Sequence, residues 1–183
     1  MRVSSLLEGK NVNLKLAEKE DIPQLMQWFN DVGFAGDYAN FPVQVSSNQL
    51  EPQTLEHKLY GNEWVTFIVE KKDGTKIGIA LHYISAPNFG WVEIGHTIIP
   101  EERNKGYATE ATQILTDYLF LTRDIPRIQA ITDKDSLASK RVLESNGFKK
   151  EGTLRKALWN ATGRWTDGCV YSILREEWKN QEY

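Results

Sequence analysis

Two runs of alternating apolar residues that meet at Asp73-Gly74 constrain the fold of this chain more than any other feature. Their apolar side chains are Val65, Phe67, Val69, Ile77, Ile79 and Leu81. A period of two residues is that of a β-strand with one face buried. Asp-Gly is a preferred two-residue hairpin turn, because both residues tolerate the positive φ that such a turn requires. The segment therefore predicts an antiparallel pair of strands.

Further strands are predicted on both sides of this pair. Each is an alternating or continuous apolar run that ends at a turn residue such as Pro100. The predicted strands are Val12–Leu16, Trp91–Ile99, Ile128–Thr132, Phe148–Trp159 and Arg164–Leu174. A turn at Asn160–Gly163 joins the last two.

Helical spacing of apolar residues separates several of these strands. A first helix, ending near residues 30–33, is predicted by Ile22, Leu25, Met26 and Phe29. A short helix is expected at Leu50–Tyr60. A long amphipathic helix is predicted by the stripe Ala111, Ile114, Leu115, Tyr118 and Leu119. The last helix has Asp135 and Ser136 as capping candidates and Gly147 at its left-handed end. This order of strands and helices predicts an α/β protein.

Length and composition narrow the class of protein. The 183 residues fit one globular domain, residues 1–183. A net charge of -3 and a pI of about 5.7 provide no basic excess for a nucleic acid. No apolar run approaches the roughly 18 residues of a membrane span, and Met1–Lys10 lacks the apolar core of a signal peptide. With Cys169 as its single cysteine, the chain is expected to be cytoplasmic, without nucleic-acid or membrane partners.

One polar segment between a predicted strand and the long helix has the pattern R-x-x-G-x-A, at Arg103–Ala108. The first turn of a helix carries unpaired backbone N–H groups and the positive end of the helix dipole, which together favour an anion. Small residues at Gly106 and Ala108 let an anion approach this backbone. Acidic side chains outnumber basic ones between residues 101 and 110, so backbone amides would do most of the binding. The alternative is an ordinary helix start with a solvated polar turn.

Four segments in this order and spacing carry a resemblance to a known family. They are E-I-G at Glu93–Gly95, R-N-K-G-Y-A-T-E-A at Arg103–Ala111, S-K-R-V-L-E-S-N-G-F at Ser139–Phe148 and D-G-C-V-Y-S-I-L at Asp167–Leu174. The chain resembles the GNAT superfamily of N-acetyltransferases, and within it the Rim-type branch that includes ribosomal-protein N-terminal acetyltransferases. The likeness covers nearly the whole chain.

The resemblance implies a fold and a co-substrate. The fold is α/β (α+β): a mixed, mostly antiparallel sheet of about seven strands with helices on both faces. The co-substrate is acetyl-coenzyme A, entering where strands 91–99 and 128–132 diverge. Its pyrophosphate would lie on the backbone of Arg103, Asn104, Lys105, Gly106, Tyr107 and Ala108. Its pantetheine arm would pair with main chain near Ile98 and Ile99. The family usually has Asn where this chain has Ser136, which is therefore expected to contribute less to the cofactor site.

Two residues are candidates for the chemistry. The resemblance implies that Ser139 hydrogen-bonds the departing thiolate; the alternative is a hydroxyl on the helix surface. Glu93 is the candidate general base, since apolar Val92 and Ile94 beside it would desolvate its carboxylate. The alternative for Glu93 is a strand carboxylate that faces solvent or pairs with a Lys or Arg. Cys169 lies in an apolar pattern and is expected in the core, which favours direct transfer.

The expected activity is N-acetylation of a primary amine, either a protein N-terminal α-amine or a small-molecule amine. A rival of another class is a non-catalytic module that binds or senses coenzyme A. The resemblance leaves a homodimer open. No metal is expected, because the three histidines have no partner at metal-ligand spacing. Aromatic candidates for the acceptor pocket are Trp28, Tyr38, Phe41, Trp91, Trp159 and Trp165. The alternative for each is ordinary packing in the core or at its rim.

Overall fold

The computed structural model describes residues 6–38, 64–86 and 91–178. Within these ranges the strands are β1 (Leu6–Glu8), β2 (Val12–Leu16), β3 (Trp64–Lys71), β4 (Lys76–Ala86), β5 (Trp91–Ile98), β6 (Arg127–Asp133), β7 (Lys149–Trp159) and β8 (Trp165–Leu174). The α-helices are α1 (Ile22–Phe29), α2 (Val32–Ala35), α3 (Tyr107–Thr122) and α4 (Leu137–Ser145). The helix predicted at 50–60 lies outside the described residues.

The eight strands of the described ranges form one sheet in the order β1-β2-β3-β4-β5-β6-β8-β7. Every neighbouring pair is antiparallel except β5 and β6, which are parallel. This confirms the predicted mixed, mostly antiparallel sheet, with one strand more than the expected seven. The additional strand is β1. With three residues it is too short for a period of two to be recognised in the sequence.

Helices pack on both faces of the sheet. Val69 of β3 belongs to a buried cluster that contains Leu115 of α3. Ile68, the preceding residue, belongs to a second cluster with Leu25 of α1 and Phe34 of α2. Because successive side chains of a strand point to opposite faces, α3 lies on one side of the sheet and α1 and α2 on the other.

The ends of α4 show one prediction confirmed and one corrected. Gly147 has a φ of 81°, and the N–H groups of Gly147 and Phe148 bond the carbonyls of Glu144 and Leu143, which is the Schellman pattern. At the other end Ser136 occupies the N-cap position, but its side chain makes no capping hydrogen bond. The expected cap of α4 by a side chain at this position is therefore wrong.

Candidate active site

A cavity of about 1310 Å³ opens where β5 and β6 separate. The two strands pair at Val92 with Ile128 and at Glu93 with Gln129, and then diverge toward their C-terminal ends. We call the residues at the starts of α3 (106–109) and α4 (136–139) the helix end of the cavity. We call Trp64, Tyr83 and Glu93, which project from the sheet, the sheet end.

Main-chain groups dominate the helix end. The first bond within α3 runs from the N–H of Glu110 to the carbonyl of Gly106, so the N–H groups of residues 107–109 precede it. Gly106 is the N-cap residue and has no side chain with which to cap them. Its φ of 84° lies in the left-handed region, which favours glycine. Apart from Gly106 and its two chain neighbours, no heavy atom of the described part of the chain lies within 4 Å of where a Cβ at Gly106 would be, so this backbone is open to a ligand.

The two basic side chains of the segment are bound to the protein itself. Arg103 donates from Nε to the carbonyl of Ile98 and from one terminal nitrogen to the carbonyls of Gly33 and Phe34, each at 2.9 Å. Lys105 forms an ion pair with Glu102 at 2.8 Å. Both positive side chains are therefore already bound within the protein, whereas no side chain caps the N-terminus of α3.

The edge of β5 beside the cavity has main-chain groups of its own. Ile99 donates its N–H to Ile77 of β4 at 2.9 Å. Since the main-chain groups of a strand alternate in direction, those of Ile98 point away from β4, toward β6. The Ile98 carbonyl accepts the bond from Arg103. Of the two residues predicted to pair with the ligand, Ile98 and Ile99, Ile98 is thus the one whose N–H faces the cavity.

Most of the predicted cofactor residues line the cavity: Ile98, Arg103, Asn104, Gly106, Tyr107, Ala108, Ser136 and Ser139. Ile99 and Lys105 are not among the lining residues. Ser136 is buried, with 8% of its surface exposed, whereas Ser139 is half-buried in the first turn of α4. The structure therefore gathers both predicted serines and the R-x-x-G-x-A segment around one space.

Glu93 carries the charge of the sheet end. It is 6% exposed, and its two carboxylate oxygens accept hydrogen bonds from Tyr83 Oη at 2.5 Å and Gln129 Nε2 at 3.1 Å. Burial, followed by the charge and hydrogen bond of Glu93, raises the pKa of Tyr83 above its usual range. Tyr83 therefore stays protonated and is the donor. Both partners are neutral, so neither the solvent-facing nor the ion-paired alternative describes Glu93.

A histidine also lines the cavity, from the face of β5 that carries α3. His96 Nδ1 lies 3.2 Å from Thr112 Oγ1 of α3. Burial lowers the pKa of His96 to about 4, so its imidazole is neutral at neutral pH. It brings a polar group to the cavity without adding a positive charge.

Comparison with known proteins assigns the family. Residues 11–149 match the acetyltransferase (GNAT) domain, which is well over half of the chain. The chain belongs to the GNAT acetyltransferase family. This confirms the membership that the four sequence segments predicted.

Individual GNAT relatives cover this chain to different extents. It is 29% identical to the uncharacterized N-acetyltransferase p20 of Bacillus licheniformis over 94% of its own length and 97% of that protein. It is 37% identical to the uncharacterized N-acetyltransferase YnaD of Bacillus subtilis over 86 residues, which is 47% of this chain and 50% of YnaD. The match thus spans half the length of YnaD.

Solved structures show the same GNAT fold. Spermidine N-acetyltransferase from Vibrio cholerae, in complex with CoA and spermine, superposes with a TM-score of 0.81 at 22% identity, over 92% of this chain and 98% of that one. Ribosomal-protein-S5-alanine acetyltransferase from Vibrio fischeri gives 0.77 at 23% identity, over 95% and 98%. The predicted fold is confirmed.

The aromatic candidates for the acceptor pocket of this GNAT domain are dispersed. Tyr38 lines the cavity. Trp28 is buried against Phe34 in the core. Trp159 and Trp165 contact each other on the exposed β7–β8 hairpin, and Trp91 lies under the guanidinium of Arg127. Phe41 lies outside the described residues.

Sequence reasoning missed Trp64, Tyr83 and Gln129. Trp64 stacks on Tyr83 with 4.6 Å between ring centroids, and both line the cavity. Tyr83 follows Leu81 at the period of β4, so the alternation placed it on the Leu81 face. Its contact with Glu93 depends on the register of β4 and β5, which no local pattern fixes. Cys169 is 1% exposed in the core, as expected.

No helix in the described ranges is long and apolar enough to cross a membrane.

Proposed function

We propose that this GNAT chain is an acetyl-coenzyme A dependent N-acetyltransferase that transfers the acetyl group directly to a primary amine. One observation carries the proposal: a single cavity joins an uncapped helix N-terminus to a buried carboxylate whose hydrogen-bond partners are neutral. The first feature suits an anionic ligand. The second suits removal of a proton from an amine.

The residues at the helix end fit coenzyme A. Its pyrophosphate is an anion, and the N–H groups of residues 107–109 supply main-chain donors at the positive end of α3. The backbone of Arg103–Ala108 would hold this group, with the left-handed φ of Asn104, 62°, and of Gly106 shaping the turn. The N–H of Ile98 and the side chain of Ser136 would contact the pantetheine arm.

Glu93 would serve as the base, directly or through a water. A protonated amine has no lone pair, and near neutral pH roughly a tenth of an α-amine but only about four in ten thousand lysine side chains are free. Once Glu93 accepts a proton from the ammonium group, the nitrogen would bond the thioester carbonyl carbon, and the carbon–sulfur bond would break with its electron pair staying on sulfur. The second proton that the nitrogen loses would pass to the thiolate and give the free thiol. Ser139 would donate a hydrogen bond to that thiolate.

Direct transfer is favoured over an acyl-enzyme on cysteine. Cys169, the single cysteine of the chain, is 1% exposed and packs in the core. Cys169 is not among the residues that line the cavity. The acetyl group therefore passes from sulfur to nitrogen in one attack.

The acceptor is a primary amine of a polyamine or of a protein N-terminus. Two structural neighbours support these two classes: the spermidine N-acetyltransferase from Vibrio cholerae and the ribosomal-protein-S5-alanine acetyltransferase from Vibrio fischeri. Both proteins are less than 25% identical to this chain. They therefore support testing polyamines and protein N-termini, but they do not favour one acceptor over the other.

An amine panel tests the proposal. Peptides with free N-termini, N-terminally blocked lysine peptides and polyamines are each incubated with acetyl-coenzyme A, and release of free thiol is followed. The Glu93→Gln variant serves as the matched control. We expect thiol release with at least one class, and little with the variant. Tight binding of coenzyme A without release for any amine would overturn the proposal in favour of a binding or sensing module.

A further inference from the structure

Both oxygens of the Glu93 carboxylate are held by side chains from neighbouring strands. Tyr83 Oη of β4 donates to Oε1 at 2.5 Å, and Gln129 Nε2 of β6 donates to Oε2 at 3.1 Å. A carboxylate oxygen has two lone pairs, so each oxygen can still accept a proton or a further hydrogen bond. The contacts fix the direction of the carboxylate without consuming its capacity as a base.

The orientation of the Gln129 amide is set by a third residue. Arg127 donates from a terminal nitrogen to Gln129 Oε1 at 3.2 Å. A guanidinium has donors and no acceptor, so it must face the oxygen of the amide, and the nitrogen must then face Glu93. Arg127 is itself held by Glu151 at 2.9 Å and lies 5.3 Å over the Trp91 ring.

The ring of Tyr83 is held on one of its faces. It stacks on Trp64 at an interplanar angle of 14°, and Trp64 Nε1 donates to Thr66 Oγ1 at 3.2 Å. Because burial and the Glu93 charge raise the pKa of Tyr83, the hydroxyl keeps its proton over the range in which an amine would be acetylated. Tyr83 is thus a fixed neutral donor.

We propose that Tyr83 and Gln129 are positioning residues that hold the Glu93 carboxylate toward the cavity through neutral hydrogen bonds. The proposal rests on the proposed function of Glu93 as the base. Two neutral donors favour the ionised form of a carboxylate without pairing it with a cation. A cation in the same place would compete with the incoming ammonium group, so neutral donors leave the negative charge available to attract it.

Removing one donor has a predictable effect on the pH dependence. Tyr83→Phe keeps the ring on Trp64 and deletes the hydroxyl, which disfavours the charged carboxylate. We expect kcat to fall about tenfold. The acidic limb of the profile of kcat/KM against pH should move up by about one pH unit. The KM for acetyl-coenzyme A should not change. Gln129→Met should shift the limb in the same direction by less, because its bond is longer.

A second tyrosine offers a matched control. Tyr171 Oη of β8 donates to Glu144 Oε1 of α4 at 3.0 Å, and Tyr171 does not line the cavity. Tyr171→Phe therefore deletes the same kind of bond away from the site. It should leave kcat and the pH profile at wild-type values, even if its unfolding temperature changes as much as that of Tyr83→Phe.

A double variant separates positioning from direct action. If Tyr83 acts through Glu93, then Tyr83→Phe in a Glu93→Gln background should cost no further turnover. A further loss would mean that Tyr83 acts on the substrate and would overturn the positioning role. If Tyr83→Phe does not fold, Gln129→Met and its double variant test the same claim from the other oxygen.

The experiment also separates this proposal from the one on which it rests. Wild-type turnover in Glu93→Gln would remove the base, and the positioning role with it. Loss of turnover in Glu93→Gln together with a wild-type rate and pH profile in Tyr83→Phe and Gln129→Met would overturn the positioning role alone. We expect all three variants to lose turnover. In Tyr83→Phe and Gln129→Met the acidic limb of the pH profile should also be shifted.

Discussion

The two ends of the cavity are built from different parts of the chain. At the helix end, main-chain N–H groups at the start of α3 are the main donors. The basic side chains just before it, Arg103 and Lys105, are bound to other parts of the protein. The sheet end consists of side chains, with Glu93 held by neutral donors from β4 and β6. The helix end therefore offers main-chain donors that fit an anion. The sheet end offers a buried carboxylate that fits the proposed removal of a proton.

This difference also explains why the helix end is easier to recognise from the sequence than the sheet end. A helix N-terminus is a local structure, so a short pattern such as Arg103–Ala108 is enough to reveal it. A carboxylate held from two neighbouring strands is a product of register, and its residues are 10 and 36 positions from Glu93 along the chain. The following variants test whether the helix end governs binding of acetyl-coenzyme A and the sheet end governs turnover.

The largest effect is expected at the sheet end. Glu93→Gln keeps the shape of the side chain and removes the base. It should lower kcat by roughly ten- to a thousandfold and remove the acidic limb of the pH–rate profile. Affinity for acetyl-coenzyme A, measured by calorimetric titration, should stay near the wild-type value. Wild-type turnover with an unaltered profile would take Glu93 out of the mechanism.

A negative charge placed at the helix end should weaken the binding of acetyl-coenzyme A, the quantity that Glu93→Gln leaves unchanged. Ala108 is the second residue of α3 and is half-buried. Ala108→Glu puts a carboxylate among the exposed N–H groups and should weaken acetyl-coenzyme A binding about tenfold or more. Ala108→Gln, of equal size, should weaken it less, and added salt should narrow the gap. An equal loss in both variants would mean that bulk, and not charge, governs this position.

The sheet also contains a buried histidine that should make the stability of the fold, rather than the rate of turnover, depend on pH. His82 of β4 is 1% exposed, and neither ring nitrogen has a hydrogen-bond partner among the described residues. Burial, and to a lesser degree the charge of Arg123, lowers the pKa of His82 to about 4. Below about pH 6.5 the unfolded chain takes up a proton that the folded chain does not. The stability contributed by neutral His82 is therefore present at neutral pH and is lost as the pH falls from 6.5 toward 4.

At pH 5 this linkage should reduce the free energy of unfolding by about 2 kcal/mol relative to pH 8. Urea unfolding of the wild type and of His82→Phe at both values checks it, since Phe packs against Phe67 and Tyr118 without a titrating group. The variant should lose less stability at pH 5 than the wild type. The same loss in both would place the acid sensitivity elsewhere.

The smallest effect on binding is expected for Arg103→Ala. Its three bonds to main-chain carbonyls join α2 to the end of β5. Removing them should lower the free energy of unfolding by about 1–2 kcal/mol. The dissociation constant of acetyl-coenzyme A should change less than about threefold, well below the change for Ala108→Glu. The reverse ranking would show that side-chain charge holds the phosphates.

Local patterns predicted most of the fold. The hairpin at Asp73-Gly74 is present, with β3 ending at Lys71 and β4 beginning at Lys76. Its turn is longer than the two residues expected, and Gly74 but not Asp73 has a positive φ. The long amphipathic stripe forms α3, with Leu115 and Leu119 in the core. The three-residue β1 was missed, because it is held by pairing to β2 and not by any pattern of its own. The cap expected from Ser136 was wrong, because the N-cap position in a sequence does not fix where its hydroxyl points.

Eight of the ten residues named for the cofactor line the cavity, but their role stays a prediction. The residues at the start of α3 follow one another along the chain, so a local pattern identified them, whereas Ser136 and Ser139 at the start of α4 were named through the family resemblance. Glu93 was recognised through the E-I-G segment, but Tyr83 and Gln129 were not, because each belongs to a different strand. Trp64 was missed for the same reason, although its ring packs directly on Tyr83.

The most direct test is thermal unfolding of the wild-type chain with acetyl-coenzyme A. A ligand that binds the folded state at about 100 times its dissociation constant stabilises that state by about 2.7 kcal/mol. For a chain of this length the unfolding temperature should rise by roughly 5–11 °C. The rise should shrink in Ala108→Glu and persist in Glu93→Gln. A melting curve that saturating acetyl-coenzyme A leaves unmoved would contradict the account.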